Sequence, residues 1–254
     1  MTPNPKTDNQ LYLIYTSGRV GSTTLFGTLK KALGEDKVFK VHRLTAEGLA
    51  EYRRFRPIWT DDEHVFQLLD GKRDQYRLKL ITLTRDPFAS EVSSLFHNLE
   101  VHFPDKSPLD FDLDFLRDRL ENRKSSSSEG YFVRWFDIEC LPYTGIDVYA
   151  RPFPRDRGYD IFHNGNIDLL VLRLEDIDRA FQPALQAFLG LNVAELDLHH
   201  IGDKQPYAPV YKQFKNGVRF PEALLDTYYK TKYCRHFYSD DEVAAFRRRW
   251  QLEF

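Results

Sequence analysis

Cysteine is scarce in this chain. Cys140 and Cys234 are the only two among 254 residues, far apart and without metal-ligand spacing. That pattern argues against a disulfide scaffold and against a zinc site, and two reduced thiols are the expectation. Long apolar runs are missing as well, so no segment is expected to span a bilayer. The opening residues, MTPNPKTDNQ, are polar and lack the apolar stretch of a secretory signal. A soluble, cytoplasmic protein is expected. Net charge is small, −2 with a pI near 6.5. Any basic surface is therefore local, and no nucleic-acid partner is expected. No internal repeat and no clean linker are visible, so a single domain over residues 1–254 is the simplest organisation.

The chain does have enough residues for one large domain with a sizeable core. Its 42% hydrophobic and 29% charged content is that of a globular protein. Aromatics are abundant, with 20 Phe and 14 Tyr. That suits a thick core or a ring-lined cleft, and composition does not choose between them.

Periodicity places the elements. Residues 1–10 read as a loose tail, and LYLIYT, 11–16, as a buried strand. The turn SGRVGS, 17–22, leads into a helix from Thr23 to about Leu33, with Gly34 at its C-terminal cap. KVFKVH, 37–42, reads as a second strand, residues 45–77 as polar helix, and LKLITLT, 78–84, as a third strand. Pro87 starts the next helix, where a missing N–H does no harm. Residues 100–130 carry a Ser run and read as a mobile loop or lid, followed by a helix near 131–140. IDLLVLRLEDI, 167–177, reads as a fourth strand feeding a helix over 178–189. Ser239 and Glu242 form a capping box on the last helix. Strands alternating with helices predict an α/β fold, a three-layer sandwich around a mainly parallel sheet.

The first turn is a candidate anion site. A strand-to-helix turn presents free N–H groups and the positive end of a helix dipole. Gly18 and Gly21 let the backbone bend toward a ligand. Ser22, Thr23 and Thr24 add hydroxyls, and Arg19 adds a planar fork of charged donors. The Lys that follows the last Gly of an ATP or GTP loop is absent, because Ser22 stands there, and so is G-x-G-x-x-G. An ordinary turn that uses Gly for geometry is the plain alternative.

A second candidate is TLTRDPFASEVSS. Arg85 stands just beyond a strand's carboxyl end, where open α/β sheets bind ligands. Ser93 follows eight residues later, roughly 12 Å along a helix at ~1.5 Å per residue. Asp86 either orients Arg85 or forms with it a structural pair at the helix cap.

Together, TSGRVGSTTL and ITLTRDPFASEVSSLF resemble the sulfotransferases that use 3′-phosphoadenosine-5′-phosphosulfate (PAPS). The resemblance implies a P-loop-like sandwich. It also implies that Arg19, Val20, Gly21, Ser22, Thr23 and Thr24 hold the phosphosulfate and that Arg85 and Ser93 hold the 3′-phosphate. LLVLRLEDI is similar to a further strand end of that family. GDKQPYAPVYKQF and YYKTKYCRHFYSDDEVAAFRRRW are similar to bacterial proteins of capsular polysaccharide synthesis. Arg19 replaces the family's frequent Lys, and the C-terminal Arg-Lys-Gly motif of the cytosolic enzymes is missing. Lys204, Lys212 and Lys215 are candidates for the remaining phosphate contacts.

The reading that follows is sulfuryl transfer from PAPS to a hydroxyl, of a carbohydrate acceptor, without a metal. Arg19 steadies the leaving phosphate. The acceptor needs a base of near-neutral pKa, which favours His, and His42 at the end of the second strand is the first choice. His97, His102, Glu47 and Asp61 rank behind it. Arg53, Arg54 and Arg56 read as a charged helix face, and Arg247, Arg248 and Arg249 as cations matched to a helix end. A P-loop kinase or NTPase and a non-catalytic nucleotide-binding module are the alternatives.

Overall fold

Every residue of the strand Ile167–Arg173 is buried, as expected where a parallel strand is covered on both faces. The structure is a computed structural model that describes residues 9–55, 61–122, 130–193 and 205–252. In chain order the elements are β1 (Gln10–Tyr15), α1 (Ser22–Leu33), β2 (Val38–Val41), α2 (Ala46–Phe55), α3 (Asp61–Leu69) and β3 (Arg77–Thr84). There follow α4 (Pro87–His97), α5 (Leu99–His102), α6 (Leu113–Glu121) and α7 (Tyr131–Trp135). A π-helical turn (Phe136–Cys140) and α8 (Leu141–Thr144) continue from α7. The chain then forms β4 (Tyr159–Asn164), β5 (Ile167–Arg173), α9 (Ile177–Leu189), α10 (Ala208–Gly217), α11 (Glu222–Tyr229), α12 (Lys232–Phe237) and α13 (Asp240–Trp250).

The chain divides into two compact units, each assembled from two separate stretches. Unit 1 is Met1–Thr84 with Trp135–Asp197, and unit 2 is Arg85–Arg134 with Leu198–Phe254. Because both units are discontinuous, no single stretch reads as a linker.

Unit 1 holds a five-stranded sheet of order β2-β1-β3-β5-β4. β1 pairs in parallel with β2 and β3, and β3 with β5. The sheet is mainly parallel as expected, with a fifth strand, β4, added at one edge antiparallel to β5. The two-residue turn Gly165-Asn166 joins them, with Gly165 at φ 58°, the left-handed geometry such hairpins require. Side-chain alternation then sorts the faces. Ile14, Ile81, Leu83, Leu170 and Leu172 pack with Leu25 and Leu29 of α1 and with Phe181, Leu185 and Phe188 of α9. On the other face Tyr15 meets Trp135 and Tyr143, ring centroids 4.8 and 5.7 Å apart. Both faces of the sheet are therefore covered, as α/β layering predicts.

Unit 2 is helical and aromatic. Phe88 of α4 meets Phe220, Tyr228 and Trp250 edge-on at 4.9, 5.1 and 5.3 Å, and such pairs add about 0.5–1.5 kcal/mol each beyond burial. Phe96 packs likewise against Tyr211 and Phe214. Here the aromatic excess builds core. The stretch 100–130 is not wholly loop: Asp112 caps α6 through Asp114 N and Phe115 N, and Leu116 and Leu120 are its buried positions. The Ser run at 125–128 lies outside the described residues. The capping box at Ser239 and Glu242 is present. Both cysteines are buried free thiols.

Candidate anion site

The turn after β1 is shaped by three residues in the left-handed region: Gly18 at φ 88°, Arg19 at 58° and Gly21 at 83°. Arg19 is the single non-glycine residue of that kind among the described residues. The conformation costs about 1–2 kcal/mol for a residue with a Cβ, and strain held in this way clusters at functional sites. Gly21 caps α1, whose start has no side-chain cap and no acidic residue in its first turn. A Cβ on Gly21 would lie 3.0 Å from Leu174 Cδ1, so the end of β5 presses directly on the turn. Ser22 is buried, Thr23 exposed and Thr24 intermediate. The Val20 side chain is in the core cluster, so only its main chain is available to a ligand.

His42 follows β2 directly and lies beside this turn. Its Nδ1 is 2.8 Å from the Thr16 carbonyl. A carbonyl only accepts, so Nδ1 carries the proton and Nε2 keeps the lone pair. The ring's Cε1 would sit 3.9 Å from a Cβ placed on Gly18. Thr16 also anchors the turn, since its Oγ1 accepts from Gly18 N at 3.4 Å. Burial, offset in part by the Thr16 bond and reinforced by Lys40, Arg43 and Arg19, pushes the His42 pKa down to about 3.

Lys40 escaped the sequence reading. Its Nζ donates to Thr23 Oγ1 at 3.3 Å, and burial followed by the Arg19 charge pushes its pKa down. The signal was available: in the strand read from the sequence, 37–42, Lys40 and His42 are two apart and so share a face.

The segment after β2 is held by buried acids that sequence reasoning also missed. Asp62, at the start of α3, accepts from His42 N at 2.6 Å. Glu139, on the π-helical turn, accepts from Tyr15 Oη at 2.8 Å, Leu44 N at 2.6 Å, Thr45 N at 3.0 Å and Thr45 Oγ1 at 2.7 Å. A Cβ at Gly48 would fall 2.3 Å from Glu139 Oε2, so any side chain there would have to displace that carboxylate.

The second motif lies in unit 2. Asp86 caps α4 by accepting from Phe88 N and Ala89 N, with Pro87 in the first turn. Tyr229 Oη donates to the same carboxylate oxygen at 2.9 Å. Burial, opposed by these bonds, pushes the Asp86 pKa up. Tyr233 Oη accepts from Arg85 N and donates to the Arg85 carbonyl. Arg85 and Ser93 are both half-buried.

The remaining candidates fall in plainer places. His102 lines a cavity of about 240 Å³ with Ser94, Asn98, Asp118, Arg119 and Asn122. Glu47 is exposed, and Asp61 Oδ2 accepts from Lys40 N at 3.4 Å. Arg53 pairs with Glu63 at 2.5 Å, while Arg56, the side chain of Arg54 and Lys204 lie outside the described residues. Lys212 is exposed, and Lys215 sits over the Tyr211 ring. Arg247, Arg248 and Arg249 end α13, with Arg247 paired to Asp226. Among the described residues, no three His, Cys, Asp or Glu side chains gather to hold a metal ion, and no helix is long and apolar enough to cross a membrane.

The fold and turn define an α/β protein with a strand–turn–helix suited to an anion. A family model described as "Putative capsular polysaccharide synthesis protein" matches residues 110–239, just over half of the chain, and the chain belongs to that family. The match includes Glu139, Tyr229 and Tyr233 but not the β1–α1 turn, His42, Arg85 or Ser93. No curated protein and no solved structure matches the chain.

Proposed function

We propose that the chain is a PAPS-dependent sulfotransferase that transfers a sulfuryl group to a hydroxyl of a carbohydrate. The observation that carries this reading is the union of base and anion turn: His42, its Nδ1 proton committed to Thr16, lies against Gly18 of the turn. The left-handed backbone, the uncapped helix start and the two cations Arg19 and Lys40 fit a doubly charged phosphosulfate. Main-chain N–H groups of residues 20–24, with the hydroxyls of Ser22, Thr23 and Thr24, would hold its oxygens. PAPS, when bound, supplies the activated sulfuryl group.

The chain's own residues do the rest. Arg19 stays charged and donates hydrogen bonds where negative charge grows on the leaving phosphate, which lowers the barrier to an in-line transfer. His42 is neutral at working pH, since burial holds its pKa at about 3 and not at the near-neutral value expected from the sequence, and its Nε2 lone pair takes the proton from the acceptor hydroxyl. Arg85 and Ser93 keep the 3′-phosphate role that the resemblance implies. The carbohydrate acceptor is drawn from the family's description.

Two measurements test this. Adenosine 3′,5′-bisphosphate should raise the melting temperature, ATP with magnesium should not, and Arg85→Ala should weaken the effect. Labelled sulfate should pass from PAPS to a member of a glycan panel. Stronger stabilisation by ATP would turn the reading toward a kinase or NTPase, and binding without transfer toward a non-catalytic module.

A further inference from the structure

β2 is the edge strand of its sheet, and edges need their outward N–H groups satisfied. Two successive acids in the first turn of α3 meet this edge: Asp61 at Lys40 N and Asp62 at His42 N. The two bonds are unequal, 3.4 against 2.6 Å. Asp62 is fully buried, and its carboxylate is bonded from the backbone of both His42 and Arg43. With water excluded, an acceptor on these successive N–H groups fixes the main chain at His42. The charged groups facing it are Arg43, Glu139 and Lys40.

We propose that Asp62 is a positioning residue for His42. By holding the His42 main chain from the α3 side, while Glu139 holds Leu44 and Thr45, it fixes the ring so that Nδ1 reaches the Thr16 carbonyl and Nε2 is the acceptor. The inference rests on the proposed role of His42 as base. Asp62 itself touches no reacting atom. Its effect is on orientation, and a misplacement of about 1 Å costs on the order of 100-fold in rate.

The test reads the ring and the rate separately. In ¹⁵N-labelled wild-type protein without substrate, the His42 side chain should show the Nδ1–H tautomer, and its amide should exchange slowly. Asp62→Ala should mix the tautomers, free the amide, and lower kcat about tenfold or more while the KM for PAPS changes less than about threefold. Asp62→Asn keeps an oxygen for His42 N and should restore the tautomer and most of kcat. An Nε2–H tautomer in the wild type, or an Asp62→Ala protein with wild-type spectrum and rate, overturns the proposal. So does an Asp62→Asn protein that keeps the tautomer but loses turnover, because the charge and not the acceptor would then be at work. That comparison stands even if Asp62→Ala does not fold. Absence of any sulfuryl transfer would fell the sulfotransferase reading while leaving the spectra to decide on Asp62.

Discussion

Tyr233 grips the main chain of Arg85 from both sides. Its hydroxyl accepts from the Arg85 N–H at 2.9 Å and donates to the Arg85 carbonyl at 3.0 Å. Tyr233→Phe removes both bonds and leaves two backbone groups to be satisfied anew, a loss of about 1–3 kcal/mol. Urea denaturation should report that loss. Titration with adenosine 3′,5′-bisphosphate should show weaker binding, because the Arg85 backbone is freed. Unchanged affinity in a destabilised variant would confine Tyr233 to a structural role.

Gly21→Ala tests the turn. At φ 83° a Cβ is strained by about 1–2 kcal/mol, and it would also press on Leu174 at 3.0 Å. The variant should lose at least that much stability and bind adenosine 3′,5′-bisphosphate poorly. Gly27→Ala is the control, since nothing lies within 4 Å of a Cβ there.

His42 and Asp62 make stability depend on pH with opposite signs. His42 has a folded pKa of about 3 against an ordinary 6.5. As pH falls through that window the unfolded chain gains a proton that the fold refuses, so stability drops toward acid. Asp62 has a folded pKa of about 7 against 3.8. As pH rises from 3.8 to 7 the unfolded chain sheds a proton that the fold retains, so stability drops toward neutrality. The melting-temperature advantage of Asp62→Asn over wild type should therefore grow from pH 4 to pH 7 and then level off. Parallel curves would show that burial does not hold the Asp62 pKa up.

Lys40→Met should keep the fold, since a long unbranched side chain remains over Phe26. With the cation bonded to Thr23 gone, affinity for adenosine 3′,5′-bisphosphate should fall and its dependence on salt should weaken. Equal affinity and equal salt slope would remove Lys40 from the site.

Much of unit 1 was legible because its signals are local. An apolar run, a Gly-bearing turn and a 3.6-residue period place β1 and α1 to within a residue. β4 was missed although Gly165-Asn166 carries a hairpin turn, because Asp160, His163 and Asn164 blur its alternation. α6 was hidden by its charge, and its two buried leucines are a thin stripe. The acids that hold His42 and the residues just after it were out of reach for another reason. Asp62 lies 20 residues from it, and Glu139 lies 95 from Leu44, and no spacing rule connects such pairs. Tyr233 and Arg85, 148 apart, are the extreme case.

The discontinuity of the two units governs the order in which they can be completed during synthesis. β1, β2 and β3 are made before β5, the neighbour of β3, which follows only after the whole of α4 to α6. Phe88 must likewise wait for Trp250, near the last described residue, before its aromatic cluster closes. The apolar faces that await β5 and Trp250 therefore stay open until those residues are made, and a fragment cut to residues 110–239 would contain β4 and β5 without β1, β2 or β3.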